Sequence, residues 1–300
     1  MTMPIGIWDA AVVTAKAATY AATLAAAGGV FFLIYSHALL DSFCAARIRR
    51  VIRMLVFIAA LAGGAMILAT GASMSGDAGG LADMGLARMI LQAGEGRASL
   101  VRLSGLILIG ASLTARRSPA AVAFLGSVAA ATSFAWVGHV HSLGSALRTW
   151  LPAAAIVVHL LGAAFWLGAL LPLLLVAGGP DMGRIAATAR RFGRAALIVV
   201  GALLAAGVSL LCLLLRGVSD LWADDYGLLA LTKVLLVCCL LALAALNHLR
   251  LTPRLFAYDE GALRALKRSI AAELAVAGCV LVVTAALTTL TGPPALDVTH

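Results

Sequence analysis

The chain has 300 residues, of which 63% are hydrophobic and only 12% charged, with a mean hydropathy of +1.05 and a formal charge of +9. Soluble domains run near 45–50% apolar and about 25% charged, so this composition excludes an ordinary soluble globule and makes lipid the solvent. The positive charge does not argue for nucleic acid, because the arginines sit in short connectors rather than on one face of a folded domain.

A hydrocarbon core of about 30 Å needs about 20 apolar residues as helix, and the backbone must bond to itself there. Eight such runs follow one another: about Ala11 to Leu39, Met54 to Ser73, Ala98 to Leu113, Pro119 to Val140, Pro152 to Val176, Ala195 to Leu215, Tyr226 to Leu246 and Ile270 to Leu290. The first exceeds what a bilayer requires, so it tilts or protrudes. The third is short and carries Arg102 near its start. Leu81 to Gln92, flanked by Gly79, Gly80 and Gly85, reads as an interfacial helix rather than a span. The expected fold is an all-α polytopic transmembrane bundle in two parts, spans 1–4 over residues 1–137 and spans 5–8 over 138–300.

The first residues, carrying Asp9, lack the basic segment, short apolar core and small-residue cleavage site of a secretory signal, so no cleaved leader is expected. Basic residues set the orientation. Fifteen of the 22 fall on one side, in the connectors holding Arg47 to Arg53, Arg116 and Arg117, Arg184 to Arg194, and Arg250 to Arg268. That side is read as cytoplasmic, with both termini outside. Asp9, Asp77, Asp83, Glu95, Asp220, Asp224, Asp225 and Asp297 lean outward. They read either as a rim attractive to cations or as acids tolerated in exported loops.

Polar groups inside a membrane are costly and default to functional hypotheses. His139 and His141 close the fourth span at its outer face, and His159 lies about two turns into the fifth, so all three can share one depth. Imidazole suits copper, zinc, iron and nickel, and thioether sulfur favours Cu(I). Met66 and Met74 on the second span belong with Met1, Met3, Met84 and Met89 on the outer half, although methionine also fills gaps in apolar packing. The histidine group reads as metal ligands or as hydrogen-bonding core residues. Trp166 follows His159 by two turns on one face, walling a pathway or merely packing.

Lys233, in the outer third of the seventh span, is expected to snorkel toward Asp224 or Asp225. Glu273, near the inner end of the eighth, has Asn247, His248 or a connector arginine within reach. His37 and His248 read as interfacial histidines, and His300 as a chain end. The five cysteines, four inside apolar runs, imply no disulfide framework. Cys238, Cys239 and Cys279 share a depth and read as buried apolar side chains or a thiolate relay. No phosphate-cradling loop, zinc-protease helix or nucleophile elbow occurs, so no enzyme and no ATP-driven pump is expected.

Several segments resemble the copper resistance protein D (CopD) family: VVHLLGAAFWLGALLPLLL from Val157, RRFGRAALIVV from Arg190, YGLLALTKVLL from Tyr226, LNHLRLTPRL from Leu246, and RSIAAELAVAG from Arg268 with the Gly292-Pro293-Pro294 end. The likeness is strong from Gly138 onward and topological before it. It implies an eight-helix bacterial inner-membrane protein that moves copper ions, often beside a small periplasmic copper-binding partner of the CopC type, here a separate chain. The expected function is copper transport from periplasm to cytoplasm. Two other readings stay open: a membrane cytochrome holding b-type haem between histidines on facing helices, and a non-transporting scaffold.

Overall fold

In the computed structural model, residues 6–115, 120–136, 150–214, 217–222 and 224–291 are described. Their regular structure is helical throughout: α1 Ile7–Ser36, α2 Ser42–Ser75, α3 Met84–Gln92, α4 Gly94–Thr114, α5 Ala120–Thr132, α6 Trp150–Ala177, α7 Met182–Leu214, α8 Asp225–Leu246, α9 Thr252–Leu255 and α10 Glu260–Leu290. Among the described residues seven helical segments are long and apolar enough to cross a bilayer, and α5 with its following 3-10 turn adds a shorter eighth, Ala120–Trp136. Seventeen residues rise about 26 Å, at the lower limit for a span. The protein is a multi-pass membrane protein with a helical bundle fold. The interfacial segment is a 3-10 turn, Ala78–Leu81, followed by the short α3.

Several helices outrun their apolar stretches. The α7 helix starts at Met182 rather than near Ala195, α10 at Glu260 rather than near Ile270, and α2 at Ser42 rather than near Met54. Capping explains the displacement, because an aspartate that accepts the free N–H groups of a first turn starts a helix wherever it stands. Asp41 accepts from the Cys44 N–H at 2.7 Å, Asp181 from Arg184 at 3.0 Å and Asp259 from Ala262 at 3.1 Å. At the other end Asp83 and Asp224 cap α3 and α8 in the same way. Part of the outward acidic rim is therefore helix-capping machinery.

Long-range contacts sort the connectors into two ends. At the acid-rich end, Lys16 of α1 donates to the Thr288 carbonyl of α10 at 3.4 Å and pairs with Glu95 of α4 at 3.6 Å. Ser73 of α2 donates to Asp9 of α1 at 2.6 Å. Arg102 stands two turns inside α4, 3% exposed, and its guanidinium lies over the Phe134 ring and donates to Ser133 at 3.2 Å. A charge in this span is thus accommodated by facing inward. At the arginine-rich end, Arg184 of α7 pairs with Asp41 at 3.3 Å, and the Tyr35 hydroxyl of α1 donates to the Arg191 carbonyl at 3.3 Å.

The α1 helix is the axis of the bundle, packing on α2, α5, α6 and α10. Two thirds of its most apolar window is buried, against 11% in α7 and in α8. Large apolar side chains such as Phe57, Leu61, Leu197, Ile198 and Leu235 point outward, as lipid-facing residues do. The α1–α6 crossing is backbone on backbone: a Cβ on Gly28 would lie 1.8 Å from the Ala164 oxygen, and one on Gly168 2.5 Å from the Gly28 Cα. Without a hydrophobic drive between helices in lipid, such small-residue crossings supply the packing. The core runs continuously from α1 and α2 through α6 to α10, so the two expected parts share one interior.

Candidate functional site

The α7 helix carries two glycines fourteen residues apart, Gly193 and Gly207, and each faces a histidine from another element. At Gly207 the neighbour is His159 of α6, whose ring lies 3.3 Å from where a Cβ would stand. At Gly193 it is His248, whose Nδ1 lies 2.6 Å from that point. The two places are roughly 21 Å apart along α7 at 1.5 Å per residue.

His159 is half-buried, and its Nδ1 lies 3.3 Å from the Leu203 carbonyl of α7. A carbonyl can only accept, so Nδ1 carries the proton and Nε2 is left with a free lone pair. Fixing a ring through one nitrogen and presenting the other is how proteins orient histidine ligands. The Lys233 ammonium lies within electrostatic reach of this imidazole. Lys233 makes no ion pair among the described residues, so it does not close on Asp224 or Asp225 at ion-pair distance.

Toward the arginine-rich end, α6, α7, α8, the turn after α8 and α10 line a cavity of about 380 Å³ that opens at its side, where Leu197 and Leu249 are exposed. Its α7 wall runs from Ile185 to Leu204, one residue past the Leu203 whose carbonyl His159 meets; His159 itself does not line it. Trp166, 3% exposed, lines it from α6, two turns from His159. At the lower end stand Asn247, His248 and Glu273. Glu273 is 2% exposed, and the Asn247 side-chain amide donates to its Oε1. Asn247 Oδ1 and His248 Nδ1 are buried without a hydrogen-bond partner.

Asn247 and His248 open a π-helical turn, Asn247–Leu251, that joins α8 to α9. Pro253 explains it: proline has no N–H for the Leu249 carbonyl, and the ring crowds the preceding turn, so the ladder is reset by one residue. The wider turn sets the pair against Gly193 and Glu273. The sequence leaves Asn247, His248 or a connector arginine open as the partner of Glu273, of which the structure selects Asn247, and otherwise reads His248 as interfacial. The available signal was the proline five residues later.

Other predicted residues do not converge here. Met66 is 2% exposed in the core and Met74 is 54% exposed on the same helix, so their sulfurs do not share a face. Cys212, Cys238, Cys239 and Cys279 are exposed on the lipid side of their helices, and no thiol relay assembles. His139, His141, Met1, Met3 and His300 lie outside the described residues. Among the described residues no three of histidine, cysteine, aspartate and glutamate gather into a metal cage. His37 and His248 stand at the arginine-rich end, so no second described histidine faces His159 as a haem ligand would.

The family model for copper resistance protein D matches residues 186–287, and the model for the copper resistance protein D-like N-terminal domain matches residues 7–149. Copper resistance protein D of Pseudomonas syringae pv. tomato is 33% identical over 221 residues, 67% of this chain and 70% of that protein. The chain belongs to the copper resistance protein D family. Membership supports a role in copper resistance and copper handling. The likeness before Gly138 is thus one of sequence as well as topology. The lower end of the cavity, Gly193 with Asn247, His248 and Glu273, falls within the first match; His159 and Trp166 fall between the two. No solved structure matches the chain.

Proposed function

We propose that this copper resistance protein D family member carries copper ions across the bacterial inner membrane, from the acid-rich, periplasmic side to the arginine-rich, cytoplasmic side. The observation that supports the reading is the neighbourhood of His159: its Nδ1 is held by the Leu203 carbonyl of α7, and the cavity that reaches toward the arginine-rich end begins on α7 at the next residue, Leu204. In this reading His159 acts with His139 and His141 as the entry ligands, and Met66 serves at most as an accessory donor. Trp166 walls the way down, and Asn247 and Glu273 receive the ion. A conducting site must release what it binds, so a few ligands serve better than a closed cage. A separate periplasmic copper-binding protein of the CopC type would deliver the ion, and no resident cofactor or catalytic step is invoked.

His159→Gln tests it, because glutamine keeps bulk and hydrogen bonding but is a far poorer ligand for copper. The variant should insert normally while cells producing it lose the copper accumulation conferred by the wild type. Accumulation equal to wild type, at equal protein level, would remove His159 from the reading.

A further inference from the structure

Topology explains why arginines collect at one end of the bundle, but not why three of them share a cleft with no acid in it. The carboxylates outside the core at that end are all taken: Asp41 and Asp181 by Arg184 at 3.3 and 3.5 Å, Asp259 by Arg254 at 2.6 Å, and Glu260 by Arg264 at 3.7 Å. Arg190, Arg191 and Arg194 of α7 make no ion pair among the described residues. They line a cleft of about 290 Å³ with Tyr35, Leu39 and Ala187, where the end of α1 meets α7.

Two of the three guanidiniums are held by rings in place of acids. That of Arg191 lies 4.7 Å from the centre of the Tyr35 ring, and that of Arg190 lies 4.3 Å from the centre of the Phe256 ring. The Tyr35 hydroxyl is spent on the Arg191 carbonyl, which fixes the ring. A ring face steadies the plane of a guanidinium and leaves its fork of N–H donors unspent. Arg190 and Arg194 stand one turn apart on one flank of α7, and such a like-charge pair costs helix stability unless an anion relieves it.

The depth of the cleft says which anion. The apolar run of α7 begins at Ala195, directly after Arg194, so the three charges stand where lipid headgroups do. Leu197 and Ile198 follow Arg190 and Arg191 by two turns on the same flanks, and they are 62% and 77% exposed, a bare apolar bed beneath the cleft.

We propose that Arg190, Arg191 and Arg194, with Tyr35, seat the phosphate of an anionic phospholipid whose acyl chains lie along Leu197 and Ile198. Guanidinium forks meet phosphate oxygens two at a time, and the phosphate removes the repulsion within the cluster. The headgroup is one without an ammonium, as in phosphatidylglycerol, because a zwitterionic headgroup would bring a further cation to a cleft that has no carboxylate to receive it. The seat is independent of how copper moves.

The test offers the full chain in detergent equal amounts of phosphatidylglycerol and phosphatidylcholine and reads retained lipid by native mass spectrometry. Wild type should retain phosphatidylglycerol in preference. Arg194 lines the cleft without a ring contact, so Arg194→Gln leaves the fold alone and should weaken retention about tenfold, the worth of one hydrogen bond to a charged group. Replacing Arg190, Arg191 and Arg194 together by glutamine should abolish the preference. The same change at Arg47, Arg49 and Arg50, exposed on α2 outside the cleft, removes as much charge and should keep it. Inorganic phosphate in excess should leave the lipid bound. Equal retention of the two lipids by wild type, equal loss in the two triple variants, undiminished retention in Arg194→Gln, or displacement by inorganic phosphate each overturns the proposal, and each leaves the copper reading standing.

Discussion

Gly28 and Gly168 meet where α1 crosses α6 with no space for a side chain, whereas Gly201 of α7 lines the cavity with nothing within 4 Å of an added Cβ. Three helical glycines in one bundle thus serve opposite ends. The first two close a seam that makes α1 the buried axis. The third stands on a helix only 11% buried in its most apolar window, with an unfilled space at its side. In lipid a helix gains little from packing apolar surface on apolar surface, so close packing has to be built in with small residues and its absence is equally informative. The α1–α6 seam is the rigid part; the α7–α8 side is where a cargo fits.

The largest effect that would break this contrast is at the seam. Gly168→Val places methyl groups into the α1 backbone, where nothing flexible can give way, and overpacking of this kind costs about 1–3 kcal/mol or more. The expected outcome is loss of monodisperse protein on size exclusion, or a large fall in melting temperature. Gly201→Val should leave both unchanged. If the two variants behave alike, the distinction between seam and cavity fails.

A smaller and more selective effect is expected at Gly193. Valine there would meet His248 Nδ1, a side chain on a turn rather than a backbone, so the histidine is displaced and the fold survives. Melting should change little, while copper binding at the lower end weakens. Unchanged copper binding in Gly193→Val would separate His248 from the site.

The smallest expected effect belongs to the connectors. The Ala262 N–H and then the Arg254 guanidinium hold the Asp259 carboxyl below the usual carboxylate range. A carboxyl lowered in the folded state contributes stability at neutral pH and loses it as pH falls through its folded value. Asp259→Asn should therefore melt slightly below wild type at neutral pH, with the gap closing in acid. A gap that persists unchanged in acid would mean that the cap, not the charge, carries the effect.

The sequence made the spans legible because hydrocarbon tolerates so few alternatives: uninterrupted apolar runs separated by arginines leave helices as the one solution. It also put Asn247, with His248 and the connector arginines, within reach of Glu273, since these stand at the inner ends of neighbouring spans, and Asn247 is the one that bonds to it. Helix starts were less legible. Asp41, Asp181 and Asp259 begin helices in water, beyond the apolar boundary by which a span is drawn. Arg102 looked like a weakness of the third span and is a buried group answered by Phe134 and Ser133, partners from another helix. The seat of His248 against α7 was hidden because it depends on the π turn that Pro253 imposes, and on Gly193, 55 positions before it, leaving room. The thiols showed the reverse error: Cys238, Cys239 and Cys279 share a depth, but depth does not say which face of a helix looks inward.

Copper that passes on the cavity side of the bundle should be stopped by filling that cavity. Both Gly201 and Gly64 are exposed with nothing within 4 Å of an added Cβ, but Gly201→Phe puts its ring on the α7 wall of the cavity and Gly64→Phe puts the same ring on α2, away from it. Reconstituted in liposomes and supplied with copper on the acid-rich side, Gly64→Phe should accumulate copper at the wild-type rate and Gly201→Phe should be blocked. Equal, wild-type uptake by both variants would contradict the account.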